Sequence, residues 1–438
     1  MTSVFIQTAK YLMIALIVTY TVQSFLIFLR HHSEQAKRIL FKEQMVLIYL
    51  FLSLGFLSMT AYTGEQQILL LFAFTLAVIT LLQLVYRLVY VHGSILLCNH
   101  MCILFGTGIL ILTRLNQQQA LRQLIIGAVS IGFTAFFPYL MSKKQDTFRK
   151  WKWVYLIVSA TLLLLVLIAG QTSYGAKISV AIGGISIQPV ELVKLLYVFF
   201  LAAMYYEKQT VVTALFTGGC TAAFLLILAA ARDLGAALIF FVIYVGMTYA
   251  VYRKWVLLPA AAGVVLLAMI GAGKSLGHVS NRIIAWKDPL SAIDDQGYQI
   301  SQSLFGIGTG SWMGSGLFMG RPKSIPVVSK DFIFSAISEE LGAIVAIAVI
   351  LISMLTLLLF FRMARAMQDP FYRWVSLGMG ICYGFQVFLT IGGCIKLIPS
   401  TGVTFPLVSY GGSSLFVTFC MFALLESFYI TTKKKDSR

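Results

Sequence analysis

The sequence predicts an all-α fold, a polytopic membrane helix bundle of about thirteen transmembrane helices, and three observations carry that expectation. Of the 438 residues, 59% are hydrophobic and only 11% are charged, against roughly a quarter charged in soluble domains. Apolar runs of about 18 to 22 residues recur from end to end, each long enough at 1.5 Å per residue to cross a hydrocarbon core of about 30 Å. The runs lack the alternation of a lipid-facing barrel strand, and hydrocarbon admits only helices or closed barrels.

In chain order the runs fall near 11–29, 45–63, 68–91, 95–113, 124–141, 154–169, 189–205, 211–230, 235–252, 256–273, 335–361, 375–395 and 411–431. The first is long and is followed by a basic loop instead of a small-residue cleavage site, so it reads as a span and not as a signal peptide. Arg30, Lys37, Arg38 and Lys42, and then Lys143, Lys144, Arg149, Lys150 and Lys152, mark the loops 30–44 and 142–153 as cytoplasmic. Alternation of the spans puts Arg253, Lys254, the stretch 362–373 and Lys433 to Lys435 on that same side. The N-terminus is therefore expected outside and the C-terminus in the cytoplasm. The formal charge of +17 is a topology signal confined to short clusters, and no nucleic acid partner is expected. Cys98, Cys102, Cys220, Cys382, Cys394 and Cys420 lie in or beside apolar runs without metal-site or disulfide spacing, which predicts simple packing.

Three outer segments, 170–188, 274–334 and 396–410, are too long or too polar to be mere connectors, and they are expected to form the working face. The middle one far exceeds the roughly 15 residues at which a loop is usually functional or disordered. Its Trp286, Tyr298, Phe305, Trp312 and Phe318 predict packed structure or membrane-surface contact. Within the later spans, Glu191 and Lys194 carry charge where it costs roughly 2.5–3.5 kcal/mol on insertion scales. Pro189 opens their helix, and the i, i+3 spacing sets both on one inward face, as a structural ion pair or the wall of a polar cavity. Asp233 stands where it can cap the next helix. From Pro399 to Ser414, prolines, glycines and hydroxyl side chains break the last hydrophobic stretch, and irregular backbone at that depth must line protein or a wet cavity.

Four blocks in order resemble the SEDS family (shape, elongation, division and sporulation), peptidoglycan glycosyltransferases of the RodA, FtsW and SpoVE type. They are Gly184 to Glu191 with Lys194; Asp233-Leu234-Gly235; Arg282 through Asp288-Pro289, Gly297-Tyr298-Gln299, Asp331-Phe332-Ile333-Phe334 and Glu339-Glu340-Leu341-Gly342; and Pro399 to Ser414. The chain departs from the family pattern at Ile178 and Ser179, Val190, Arg232 and Val327 to Lys330. The resemblance implies a ten-helix polymerase core over 95–431, an N-terminal extension of about three helices over 1–94 and a basic tail over 432–438. It also implies polymerisation of lipid II at the outer face of a bacterial plasma membrane, with Asp331 catalytic and a class B penicillin-binding transpeptidase as partner.

For such a reaction a sugar hydroxyl attacks an anomeric carbon bearing a polyprenyl diphosphate, and a carboxylate takes the proton, which suits Asp331 as general base or, in a humbler role, as a helix cap. The expected substrate-binding residues are Lys177, Gln188, Glu191, Lys194, Asp233, Arg282, Tyr298, Gln299, Lys323, Lys330, Lys396, Thr401, Ser409, Tyr410, Gly411, Gly412 and Ser413. Lys177, Arg282, Lys323, Lys330 and Lys396, all in the segments expected outside, are the candidates to meet the departing diphosphate, and the sequence does not choose among them. No covalent cofactor is expected. A divalent cation, Mg or Mn, with Asp288, Asp294 or Asp295 as oxygen ligands is left open, since no spacing forms a recognisable metal loop. A precursor flippase and a non-catalytic scaffold for a wall synthase are the alternatives, and polar residues concentrated on one side argue against the flippase. Residues 1–94 hold nothing suited to a sugar, and a contact role is expected, through small or polar residues such as Ser53, Gly55, Ser58 and Thr60.

The charge pattern makes a direct prediction. In a cysteine-free background, single cysteines at 66, 290 and 404 react with an impermeant thiol reagent in intact cells. One at 146 reacts only after permeabilisation; labelling there in intact cells would reverse the whole map.

Overall fold

The chain was analysed as a computed structural model that describes residues 2–29, 33–143, 145–173, 176–182, 185–275 and 277–436. Arg30, Lys144 and Gly184, used above, lie outside these residues. The elements in order are α1 (Thr2–Leu29), α2 (Glu34–Thr63), α3 (Gln66–Leu88), α4 (Ile95–Leu115), α5 (Gln117–Thr134), the short α6 (Phe137–Lys143) and α7 (Gln145–Lys150), and α8 (Lys152–Ala169). A small antiparallel sheet β1 (Gln171–Ser173), β2 (Ala176–Ile182), β3 (Ile185–Ile187) follows, in that strand order. Then come α9 (Pro189–Glu207), α10 (Val211–Ala230), α11 (Leu234–Tyr252), α12 (Leu257–Ser275), α13 (Gly277–Lys287), α14 (Tyr298–Gly310), α15 (Ile333–Leu341), α16 (Ala343–Ala366), α17 (Pro370–Cys394) and α18 (Gly412–Asp436).

Among the described residues 12 helices are long and apolar enough to cross a membrane. The expected span at 256–273 holds only a shorter apolar stretch, Leu257–Gly271. It nevertheless carries the chain back across, because Asp233 at the start of α11 and Arg282 beyond α12 line one cavity. The expected span at 335–361 is also different in detail. It breaks at Gly342 (φ 92°) into α15 and α16, because the backbone of Trp312 to Gly314 presses so close that a Cβ at 342 would lie 2.3 Å from the Gly314 nitrogen.

Of the segments expected outside, two carry built structure, and the middle one is expected to from its aromatic content. Segment 274–334 contributes α13, α14, a 3-10 turn Pro322–Ser324 and α15, and segment 170–188 contributes the sheet. The loops sort into two ends. Arg149 pairs with Asp369 at 3.4 Å and Lys152 pairs with Glu207 at one end. At the other, Arg114 pairs with Glu340 at 2.8 Å and Gln117 donates to Glu65.

Almost every residue of α4 is buried, and α9, α17 and α18 follow it in burial, so these four make the centre of the bundle. Lipid tails are as apolar as leucine, so close packing and interhelical hydrogen bonds hold such helices together. α1 to α3 pack on α4, α5 and α16. Gln44 of α2 donates to Ser24 of α1 at 3.0 Å and accepts from Asn99 of α4 at 3.0 Å, while His100 of α4 shares a hydrogen bond with Thr356 of α16 at 3.1 Å. The expected small-residue contact is present at Gly55, where a Cβ would lie 2.7 Å from Leu110.

The tightest approach on α4 is at Gly108, where an added Cβ would sit 2.4 Å from the Val408 carbonyl oxygen. Backbone cannot swing aside as a side chain can, and overpacking a tight core costs about 1–3 kcal/mol. Gly108→Ala should therefore lower the melting temperature of the detergent-solubilised protein and loosen the segment before α18. Gly219→Ala, which meets nothing within 4 Å, should leave the melting curve unchanged in the same assay.

Candidate functional site

The site forms where four helix termini and two irregular segments meet at the end of the bundle that carries the sheet. Pro189 at the first position of α9 fixes its start without wasting an amide donor, which sets Glu191 and Lys194 one turn in. The Lys194 ammonium lies 2.8 Å from Glu191 Oε2 and donates to Gln386 Oε1 of α17 at 3.1 Å. The same Gln386 amide donates to the Thr404 carbonyl at 3.1 Å, so the pair is tied to the irregular segment 396–410. Asp233 caps α11 by accepting from the Ala236 amide at 3.0 Å. Burial pushes its carboxyl above the ordinary range, while that amide and Lys194 pull the other way.

Glu191, Lys194 and Asp233 share a cavity of about 120 Å³ with Gln188, Arg232, Arg282, Lys330, Asp331, Thr401 and Gly402. Gly402 (φ 74°) brings its backbone close enough that a Cβ there would lie 3.7 Å from Asp331 Oδ2 and 3.8 Å from Arg282 Nη2. Asp331 does not cap α15, whose N-cap is Phe332 with no side-chain bond. The Asp331 backbone is held by its amide on the Val327 carbonyl at 3.3 Å and by its carbonyl, which accepts from Cys394 Sγ at 3.2 Å. Among the described residues nothing donates a hydrogen bond to its carboxylate. Burial pushes that carboxyl up to about 6, against the opposing pull of Lys330 and Arg282. A half-buried carboxylate with free lone pairs, flanked by guanidinium and ammonium, can accept a proton near neutral pH beside a site for an anion. The Thr401 hydroxyl is buried and has no hydrogen-bond partner among the described residues, which leaves a donor available on the cavity wall.

A second, larger groove of about 600 Å³ lies across the strip Pro326 to Lys330 and shares Lys330 with the first. Arg122, Lys323 and Tyr410 line it, with Asn116 between α4 and α5 and Gln118 and Gln119 from the first turn of α5. The strip is pinned from several sides. Gln299 donates to the Pro326 carbonyl at 3.2 Å, the Tyr410 amide donates to the Ser329 carbonyl at 2.8 Å, and Ser409 Oγ donates to the Lys330 carbonyl.

Several expected site residues take other positions. Lys177 turns back to the Leu167 carbonyl at 3.0 Å, since the last carbonyls of α8 offer a cation the negative end of a helix. Tyr298 and Lys396 line neither cavity. Lys396 has positive φ (60°), and its carbonyl accepts from Trp286 Nε1 at 3.2 Å, so its contribution is to the turn. Ser413 accepts from the Gln188 amide at 2.9 Å, Gly411 donates to Gln123 at 3.3 Å, and Gly412 opens α18 against Ile126; all three shape the wall from behind. Asp288 accepts from the Ser291 amide at 3.3 Å and Asp295 from Gln296 at 2.6 Å, as turn residues do. No group of three or more His, Cys, Asp or Glu among the described residues stands together as a metal cage. Sequence reasoning passed over Arg122 and Gln386. A lone glutamine in the middle of an apolar run was the available signal for Gln386, while Arg122 reads as an ordinary flanking cation.

A profile of the cell cycle protein family of FtsW, RodA and SpoVE matches residues 94–434. The chain is 34% identical over 276 residues to "Peptidoglycan glycosyltransferase RodA" of Mycobacterium bovis, covering 57% of each chain. It is 33% identical over 313 residues to "Stage V sporulation protein E" of Bacillus subtilis, covering 68% of this chain and 82% of that one. The chain thus spans about 57% of the length of the RodA relative. A solved chain described as "Structural coordination of polymerization and crosslinking by a peptidoglycan synthase complex" superposes with a TM-score of 0.65 at 25% identity, over 77% of this chain and 98% of that one. RodA of Thermus thermophilus shares the fold with a TM-score of 0.57 at 22% identity, over 77% and 97%. The matched region begins at α4 and takes in both cavities, and on that extent the chain belongs to the FtsW, RodA and SpoVE family of cell cycle proteins.

Proposed function

We propose that this chain is a peptidoglycan glycosyltransferase that polymerises lipid II at the outer face of a bacterial plasma membrane, with Asp331 as general base. The observation that supports this most is the Asp331 carboxylate itself. It opens on a cavity with Arg282 and Lys330 at its sides, and burial tunes it to about 6. A base works best with a pKa near the operating pH, because it must be ionised and still basic enough to take the proton.

In this reading the acceptor hydroxyl gives its proton to Asp331 as its oxygen attacks the anomeric carbon. The bond from that carbon to the diphosphate breaks with inversion, and Arg282 and Lys330 stabilise the departing anion. The larger groove, with Arg122 and Lys323, takes the diphosphate-bearing part of the second substrate, so that Lys330 stands between the two. A divalent cation, magnesium or manganese, would add positive charge at the diphosphate; Asp288 and Asp295, two of its expected ligands, each accept a hydrogen bond from a neighbouring residue. The N-terminus lies outside and the basic tail in the cytoplasm. A class B penicillin-binding transpeptidase is the proposed neighbour, since the solved relative is described as a complex that couples polymerisation to crosslinking.

Purified protein given lipid II should build glycan chains, and Asp331→Asn, nearly isosteric, should abolish them while folding and yield stay normal. Chain formation by the Asn variant would sink the assignment. Asp294→Asn and Asp295→Asn should retain most activity, since Asn serves as well in a turn.

The pH profile follows from the same group. The ionised form is the active one, so kcat/KM should rise about tenfold per pH unit below 6 and level off above about 7. A profile flat between pH 5 and 7.5 would assign the proton transfer elsewhere.

A further inference from the structure

The family match leaves α1 to α3 unexplained, and the outer ends of α1 and α2 close on one short piece of the core. That piece, Ser311 to Gly320, is a chain of turns whose Gly314 and Gly316 have φ of 74° and 103°. Lys10 of α1 is only 8% exposed, and its Nζ donates to the Gly314 carbonyl at 3.0 Å. Ile6 Cγ2 and Gln7 Nε2 lie 3.6 and 3.9 Å from where a Cβ on Gly316 would be. Tyr62, at the end of α2, stacks on Phe318 with ring centroids 5.1 Å apart.

The same turns are bonded to the far end of α15. Ser315 and Gly316 donate from their amides to the Glu339 and Glu340 carbonyls, both at 2.9 Å. The Arg321 amide donates to Glu339 Oε1 at 2.6 Å. Arg114 pairs with Glu340 at 2.8 Å, donates to the Gly320 carbonyl at 3.3 Å and lies 4.2 Å from the centre of the Phe318 ring. Near its start, α15 is tied to α14 by the hydroxyls of Ser335 and Ser303 at 2.6 Å. A nine-residue helix moves as a unit, and Asp331 sits two residues before it.

We propose that the N-terminal extension is a brace for the catalytic segment: through Lys10 and Tyr62 it holds the turns 311–320 against the tail of α15 and so fixes Asp331 at the head of that helix. Lys10 and Tyr62 are positioning residues, and their effect on turnover rests on the reading of Asp331 as base. An ammonium so little exposed near the end of a membrane helix is costly unless an acceptor meets it, which makes the carbonyl of Gly314 a specific partner for Lys10. The chemistry is sensitive to such a partner, because misplacing a reacting group by about 1 Å costs up to about a hundredfold in rate.

The test uses the full-length chain carrying Lys10→Met with Tyr62→Ala, beside Lys10→Arg with Tyr62→Phe as the conservative pair and Asp331→Asn as the inactive control. Two readouts are taken: amide hydrogen exchange at residues 312–320, and kcat and KM for lipid II. The expected result is faster exchange at Ser315 and Gly316 and a kcat lowered about ten- to a hundredfold. KM should stay within about twofold and elution on size exclusion unchanged, while the conservative pair recovers both readouts. Unchanged exchange overturns the brace, and so does faster exchange with parental kcat. A parent chain that makes no glycan overturns the polymerase reading instead; the exchange measurement then decides alone whether the extension holds these turns.

Discussion

Charge in hydrocarbon has to be met by opposite charge or by oriented dipoles, and the pairing of Lys194 with Glu191 is where this bundle meets that requirement at its working end. The pair closes one wall of the cavity and is anchored to α17 through Gln386, which in turn holds the Thr404 carbonyl. Three separate stretches of chain thus converge on one buried ammonium. Asp233 belongs to the same cluster, with its cap on α11 and its long-range attraction to Lys194. With these charges satisfied among themselves, Asp331 and Arg282 are left to face the cavity opening. A bundle in lipid gains little from burying apolar surface between its helices, so polar contacts of this kind decide where the helix ends sit.

Helix existence and order were legible because each run is long and uninterrupted, and the basic clusters separated the two ends. Two features were not legible. The helical break at Gly342 falls inside the run that reads as one span, and the approach of residues 312–314 is what requires it. The fate of Lys177 was hidden for a similar reason: a cation in an outer segment reads as available, and the competing Leu167 carbonyl exists only once α8 has ended nearby. By contrast, the i, i+3 spacing of Glu191 and Lys194 and the Asp-Leu-Gly cap were readable, since both are local geometry that a helix imposes without help from distant residues. Gln386, which ties Lys194 to the Thr404 carbonyl, stands in the sequence as an isolated polar residue in an apolar run, although its partners do not show there.

The division into two cavities also follows from local chemistry. The strip before Asp331 is a turn, with Val327 at positive φ (55°) and the Lys330 and Asp331 amides on the Val327 carbonyl, and Gln299, Tyr410 and Ser409 bind its other carbonyls from outside. A turn so pinned makes a thin wall. Its last residue, Lys330, borders both spaces. Ser409 and the Tyr410 amide therefore serve the site by holding this wall, while Tyr410 also lines the larger groove.

The extension is bound to the core by more than apolar contact. Asn99 and His100 lie in the second turn of α4, buried among apolar side chains, and in a core without α1 to α3 the Asn99 amide would lose Gln44. An unsatisfied amide in hydrocarbon costs several kcal/mol. A chain that keeps Asn99 at that position is therefore committed to keeping α2 beside α4, and α2 brings Tyr62 to the turns 311–320 while α1, tied to it through Ser24 and Gln44, brings Lys10. The polar web deep in the bundle and the contacts on the turns above it are thus two ends of the same rigid pair of helices. Their register along α4 is set by the interior hydrogen bonds, and the height at which Lys10 meets Gly314 is a consequence of that register.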